Sequence, residues 1–298
     1  MVNTALKLGE YQHPNKTAAR AFKQLVGIDE QKQVLLDTLE FLLNRDRLQA
    51  WQKKHHKQGL PLLIQLQQAD PLIILSGEVG CGKTALAQSI ATPLAEILGQ
   101  PVKVFETPSN IRGSGLVGEI SNRITEAFEV FKSKVKDGET GLLIIDEADD
   151  IATNREQNEA HHEDRAGLNV LIKQIDSIRH IGKQLAVLMI TNRIKVIDPA
   201  VLRRTSLHLI FERPKGKQLE ALITSIMEGI SYTKADIANI IEACDAHAIP
   251  YSSSDLIQRV AKQSLYTSLA MDVPLTSEQF VKTIKVMEPT PLLEKARI

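Results

Sequence analysis

Short apolar runs alternate with helical periodicities through the first two thirds of the chain, and beyond residue 211 only the helical period remains. Leu72 to Leu75, Leu142 to Ile145 and Leu185 to Ile190 are unbroken apolar runs of strand length, the pattern of strands buried on both faces, and Val102 to Phe105, interrupted by Lys103, reads as a further strand. Thr84 to Leu98, Glu119 to Val135 and Ala166 to Ile178 lie between them and read as helices. Strands separated by helices predict a parallel sheet with crossover helices. A last short strand, Leu207 to Phe211, ends at Arg213-Pro214. After it, apolar positions at Leu219, Leu222, Ile223 and Ile226, at Ile237, Ile240 and Ile241, at Leu256, Ile257 and Val260, and at Phe280 and Ile284 predict four amphipathic helices. Breaks near Ser231, Pro250 and Pro274 separate them. Upstream, Leu35, Leu39, Leu42 and Leu43 predict a helix capped at Asp29, which the polar stretch from Arg45 to Gln58 closes. The first twenty residues have few apolar positions and read as an extended arm ordered by a neighbour. The expected organisation is an arm over 1–24, a large α/β domain over 25–212 and a small all-α lid over 213–298.

Composition narrows the class. The chain has 298 residues, of which 43% are hydrophobic, enough for one large core and a smaller one. The longest apolar stretches fall far short of the roughly 20 residues that span a bilayer, and no signal-peptide core is present, so a cytoplasmic protein with no membrane partner is expected. Two cysteines cannot frame a disulfide scaffold. Lysine plus arginine and aspartate plus glutamate each total 36, leaving no net charge and no basic footprint for nucleic acid.

The chemistry is concentrated at strand ends. Residues 77–84 read Gly-Glu-Val-Gly-Cys-Gly-Lys-Thr, a complete G-x-x-x-x-G-K-[ST] phosphate loop between a strand and a helix. Gly77, Gly80 and Gly82 let the backbone curl so that N–H groups point at phosphate oxygens, and Glu78, Val79, Cys81 and Ala85 complete the binding stretch. Lys83 supplies a point charge for the β and γ phosphates, and Thr84 a hydroxyl for Mg²⁺. The apolar run Leu142 to Ile145 delivers Asp146 and Glu147 at its C-terminal end, where open α/β sheets place ligands. Asp146 is expected to hold Mg²⁺ and Glu147 to deprotonate the water that attacks ATP. Alone, such a pair is as often a helix cap, but the phosphate loop decides for the metal and base roles. Asn192, at the tip of the next strand, is expected to sense the γ-phosphate, and Arg203 and Arg204 are candidates for stabilising phosphoryl charge from a neighbouring subunit. The paired histidines His55-His56 and His161-His162 lie in polar stretches without cysteine partners and read as surface rather than metal ligands.

The order and spacing of these elements resemble the AAA+ ATPases from about Leu25 to Met287, nearly the whole chain. The resemblance implies an adenine-side box at Val26-Gly27, trans arginine fingers at Arg203 and Arg204, and a homo-hexamer using ATP and Mg²⁺. Leu116-Val117-Gly118-Glu119 resembles the first pore loop of protein-remodelling members, with Leu116 where an aromatic is usual, and implies that Leu116 and Val117 grip substrate. The segment from Asp146 to Asp176 looks most like the pachytene-checkpoint (thyroid-receptor-interactor) ATPases, which remodel HORMA-domain proteins. The chain is most similar to their bacterial relatives in cyclic-oligonucleotide antiphage systems (CBASS), which implies a HORMA-domain partner beside a cyclic-nucleotide synthase. Two departures stand out: Ser254 occupies the place of the family's second-sensor arginine, and only twenty-five residues precede Val26, against an adaptor-binding domain in eukaryotic members. A nucleic-acid-linked AAA+ protein such as a helicase loader, and a nucleotide-gated scaffold, are the rival readings.

Overall fold

The computed structural model describes residues 6–66, 70–109, 111–113, 118–153, 162–181 and 183–293. The chain divides into two compact units: residues up to Phe22 with Glu30–Ser76 and Thr84–Ile210, and Lys23–Asp29 with Gly77–Lys83 and the residues from Phe211 onward.

The first unit is built on a sheet of β1 (Gly9–His13), β2 (Leu72–Gly77), β3 (Val102–Glu106), β4 (Thr140–Ile145), β5 (Gln184–Thr191) and β6 (Thr205–Phe211), in the order β1-β3-β4-β5-β2-β6. β3, β4, β5 and β2 run parallel, with Leu142 opposite Ala186 and Ile74 opposite Met189. Alternate residues Ile74, Leu143, Ile145, Val187 and Met189 pack with Phe128, Phe131, Leu171 and Ile175 of the helices Glu119–Lys134 and His162–His180. The intervening Ile73, Leu75, Leu142, Ile144 and Leu188 are buried as well, so the central strands carry no polar face. The sheet is thus the expected one, with the phosphate-loop strand β2 between β5 and β6.

Four local features differ from the sequence expectation. Lys16–Gln24, within the stretch read as an extended arm, is a helix. Gly9–His13 is an antiparallel edge strand on β3 within the same chain, and the buried His13 ring lies 2.8 Å from Thr92 Oγ1. Pairing supplies partners for its backbone that an unattached arm would lack. Arg45–His55 is a helix: the Asn44 side chain accepts from the Arg47 N–H at 3.1 Å, and Lys53, Lys54 and His55 in the last turn complement the helix dipole. The helix after the loop is two pieces, Lys83–Ser89 and Ala91–Leu98, joined at Ile90.

The second unit holds the helices Lys217–Ile226, Lys234–Asp245, Lys262–Ala270 and Ser277–Val286, with a π-helical stretch Asp255–Ala261 leading into the third. Leu222, Met227, Ile240, Tyr251, Val260, Phe280 and Ile284 form its core. Thr233 and Asp236 close a reciprocal capping box on the second helix. Among the described residues no helix is long and apolar enough to cross a membrane.

Candidate nucleotide site

The phosphate loop spans the division between the units, Gly77–Lys83 on one side and Thr84 on the other. Within the second unit, Gly77, Gly80 and Gly82 all take positive φ, at 124°, 75° and 91°. This is the region L residues avoid, so the glycines are required by the turn. Lys83, 5% exposed, donates from Nζ to the carbonyls of Gly77 at 2.9 Å and Glu78 at 2.6 Å, which curls the loop around its ammonium. Two further bonds hold the loop: Glu78 N–H donates to Phe211 O at 2.9 Å, and Ser254 N–H donates to Gly80 O at 2.9 Å. Val26-Gly27 belongs to the same unit, where Leu25 and Ile28 reach the space beside Gly82. Cys81 is buried, and its thiol is pushed up to about 11, chiefly by burial. It therefore packs the loop as a neutral thiol.

Within the first unit, the Thr84 hydroxyl donates to Asp146 Oδ2 at 2.9 Å, and the Glu147 N–H donates to Asp146 Oδ1 at 2.8 Å. A hydroxyl and a carboxylate this close are hard oxygen donors of the kind Mg²⁺ takes, so these residues fit that ion. Glu147 is exposed and sits at φ 51°, ψ 42°, a left-handed conformation that costs a non-glycine residue of order 1–3 kcal/mol and concentrates at functional positions. Asn192 is exposed at the end of β5, next to Thr191, whose hydroxyl donates to Asp149 Oδ1 at 2.8 Å and so ties the β5 tip to the turn after β4. Nothing in the sequence pointed to that tie, although Asp149 follows Glu147 by only two positions. Ala85 continues the helix from Thr84.

The two arginines are treated differently. Arg204 makes a forked pair with Asp176, Nε to Oδ1 at 2.6 Å and Nη2 to Oδ2 at 3.0 Å, and donates from Nη1 to Ala200 O at 2.9 Å. The hydrogen bonds to Asp176 raise its pKa further. Arg203 is exposed, and its side chain has no partner among the described residues. Leu116 and Val117 lie outside the described residues, as do most of Thr153 to Asp164.

Residues 73–213 match the family described as ATPase family associated with various cellular activities (AAA). The chain is 32% identical over 272 residues to CD-NTase-associated protein 6 of Escherichia coli strain KTE188, covering 90% of this chain and 91% of that protein. Its counterpart in strain MS 115-1 is 33% identical over 279 residues, covering 90% and 89%. The structure of the E. coli MS115-1 HORMA:CdnC:Trip13 complex contains a chain that superposes with a TM-score of 0.90 at 31% identity, over 96% of this chain and 97% of that one. A Rhizobiales Trip13 superposes with a TM-score of 0.75 at 29% identity, over 95% and 98%. With phosphate loop, strand-end carboxylates and helical unit all in the expected order, the chain belongs to the AAA ATPase family, among the Trip13-like proteins related to CD-NTase-associated protein 6.

Proposed function

We propose that this protein binds ATP with Mg²⁺, hydrolyses it, and uses the cycle as a homo-hexamer to remodel a HORMA-domain regulator that accompanies a cyclic-nucleotide synthase in antiphage defence. The observation that carries the ATPase reading is the bonded pair Thr84–Asp146 followed directly by Glu147 in a strained, exposed conformation. Kinship with CD-NTase-associated protein 6 and with the Trip13 chain of a HORMA:CdnC complex supports the partner. Neutral net charge speaks against the helicase-loader alternative, which salt-dependent DNA binding would reveal.

In this mechanism Gly77 to Gly82 present backbone N–H groups to the phosphates, and Lys83 moves from the loop carbonyls to the β and γ oxygens. Thr84 and Asp146 would hold Mg²⁺, which would supply positive charge against those oxygens. Glu147 accepts the proton of the attacking water, which Asn192 holds in line. Arg203 reaches the adjacent subunit's site, while Arg204, fixed by Asp176, sets the backbone from which Arg203 projects. Leu116 and Val117 are proposed to line the pore and hold an extended segment of the partner by apolar contact, which reads no side-chain sequence.

The test pairs turnover with remodelling. Glu147→Gln should keep nucleotide binding and lose hydrolysis, and Lys83→Ala should lose binding itself. Mixing an Arg203→Ala/Arg204→Ala protein with Lys83→Ala protein should regenerate some turnover in mixed assemblies. Leu116→Ala should leave ATP hydrolysis standing and stop disassembly of a HORMA complex followed by size exclusion. Parental turnover in Glu147→Gln would remove the assigned base.

A further inference from the structure

We propose that Arg213 is a positioning residue for the phosphate loop, acting through Glu78, and that the segment Thr290-Pro291 is the clamp that holds it in place. This rests on the ATPase reading and adds to it a control point far along the chain. Arg213 is 4% exposed although it carries a full charge. Its Nε and Nη2 both lie 3.3 Å from Glu78 Oε2. Its remaining donors are spent on the chain's last described segment and on one turn of the helical unit: Nη1 on Pro250 O and Thr290 O, each at 2.7 Å, and Nη2 on Pro291 O at 3.0 Å, with Thr290 Oγ1 at 3.5 Å.

The significance of Glu78 lies in its two roles. Its side chain takes Arg213, and its backbone carbonyl takes the ammonium of Lys83 at 2.6 Å. Tilting the Glu78 peptide therefore moves an acceptor of the residue that must meet the phosphates. The other side of the loop is held by the same segment. Ser254 N–H bonds Gly80 O, and the next residue, Asp255, is a buried carboxylate that accepts from both the N–H of Thr290 at 3.4 Å and its hydroxyl at 2.9 Å. Thr290 thus joins both ties of the loop, one through Arg213 and one through Asp255, yet is itself exposed. Leaving donors of a buried guanidinium unmet is costly, so if Thr290-Pro291 leaves, Arg213 is held only by Glu78 and Pro250 and its pose loosens. The helical unit bears a π-helical stretch starting at Asp255, a distortion that recurs at functional positions. Loosening of Thr290-Pro291, by whatever engages that exposed segment, should therefore weaken nucleotide binding.

The experiment measures the Kd of a fluorescent ADP analogue, together with KM and kcat for ATP, on the full chain. Arg213→Lys keeps the charge but loses the fork, and Glu78→Gln loses the charge but keeps the shape. Each should raise Kd and KM together by about tenfold, the factor that about 1.4 kcal/mol makes in an equilibrium constant, with kcat falling less than KM rises. Thr290→Val, at an exposed position, should raise Kd by a smaller factor with kcat within about threefold, and this effect should shrink in the Arg213→Lys background to the part carried by Asp255. A Thr290→Val effect that multiplies fully with Arg213→Lys, or an Arg213→Lys protein with lowered melting temperature and unchanged Kd, would reduce Arg213 to a structural role and overturn the proposal. Lys83→Ala runs beside them: if it binds the analogue as the parent does, the ATPase reading itself fails, whereas loss of binding there with parental Kd in the other three variants refutes only the clamp.

Discussion

Replacing Gly77 with alanine tests whether the loop's geometry, and not merely its glycine content, is what the fold demands. A Cβ at Gly77 would stand 2.0 Å from the carbonyl oxygen of Phe211 and 2.8 Å from that residue's carbonyl carbon and nitrogen. All three are backbone atoms, so no rotamer change relieves the clash. The same oxygen accepts from Glu78 N–H, and pushing it away breaks that bond too. Backbone at φ 124° adds a conformational penalty of about 1–3 kcal/mol, and forced overpacking about 1–3 kcal/mol more, giving roughly 2–6 kcal/mol in all. Gly99 is the internal control. It also has positive φ, 65°, but a Cβ there meets nothing within 4 Å, so Gly99→Ala should cost roughly 1–2 kcal/mol. Urea unfolding followed by circular dichroism, comparing both variants with the parent, separates the two. Equal midpoint shifts for Gly77→Ala and Gly99→Ala would show that β2 and Phe211 do not approach as described, and the account of why the loop begins with glycine would fail.

Arg203→Ala should lower ATP turnover by about 10³, while Asp176→Ala, which frees a partly exposed pair, should lower it less than tenfold and shift stability by no more than about 1 kcal/mol; equal losses of turnover would contradict a merely supporting role for the Asp176–Arg204 fork. Both cysteines are buried, with burial pushing Cys81 up to about 11 and Cys244 up to about 12, so a thiol reagent at pH 8 should label neither until denaturant is added; fast labelling of the native protein would contradict the packed loop. Burial pushes the Asp255 carboxyl up, but hydrogen bonds from Arg259, Ser252 and Thr290 outweigh it and hold the carboxyl below its ordinary 3.8. The stability it contributes is complete above that value and lost as pH falls through the depressed one, so Asp255→Asn should flatten the acid limb of the unfolding profile below about pH 4, and an unchanged limb would refute the network.

The strands that face no water were legible because Leu142 to Ile145 and Leu185 to Ile190 tolerate no polar residue, and the phosphate loop because its glycines and lysine have fixed offsets. β1 was not, since three of its five residues are exposed and an edge strand needs no apolar signature. The helix Arg45–His55 was hidden in the same way, because its stability lies in a cap and in terminal charges more than in a stripe. At the candidate site, Asp146, Glu147 and Asn192 could be read from their place after apolar runs. Nothing in the sequence distinguished Arg203 from Arg204, because the difference is made by Asp176, 28 positions away in the chain. Arg213 looked like the end of a strand, and its partners Glu78 and Thr290 are joined to it only by folding.

The strand order has a consequence for synthesis. β2 carries the phosphate loop, yet both of its neighbours, β5 and β6, are made after it. Leu72 pairs with Val187, 115 positions further on. At about 5–20 residues per second, an apolar strand of Leu72, Ile73, Ile74 and Leu75 waits roughly 6–23 s on the ribosome before its first partner exists. During that interval its unpaired edges are open to other nascent chains, so yield should depend on translation speed and chaperone supply. A slow stretch of codons placed after β5 should help, and one placed between β2 and β5 should drive the product into aggregates.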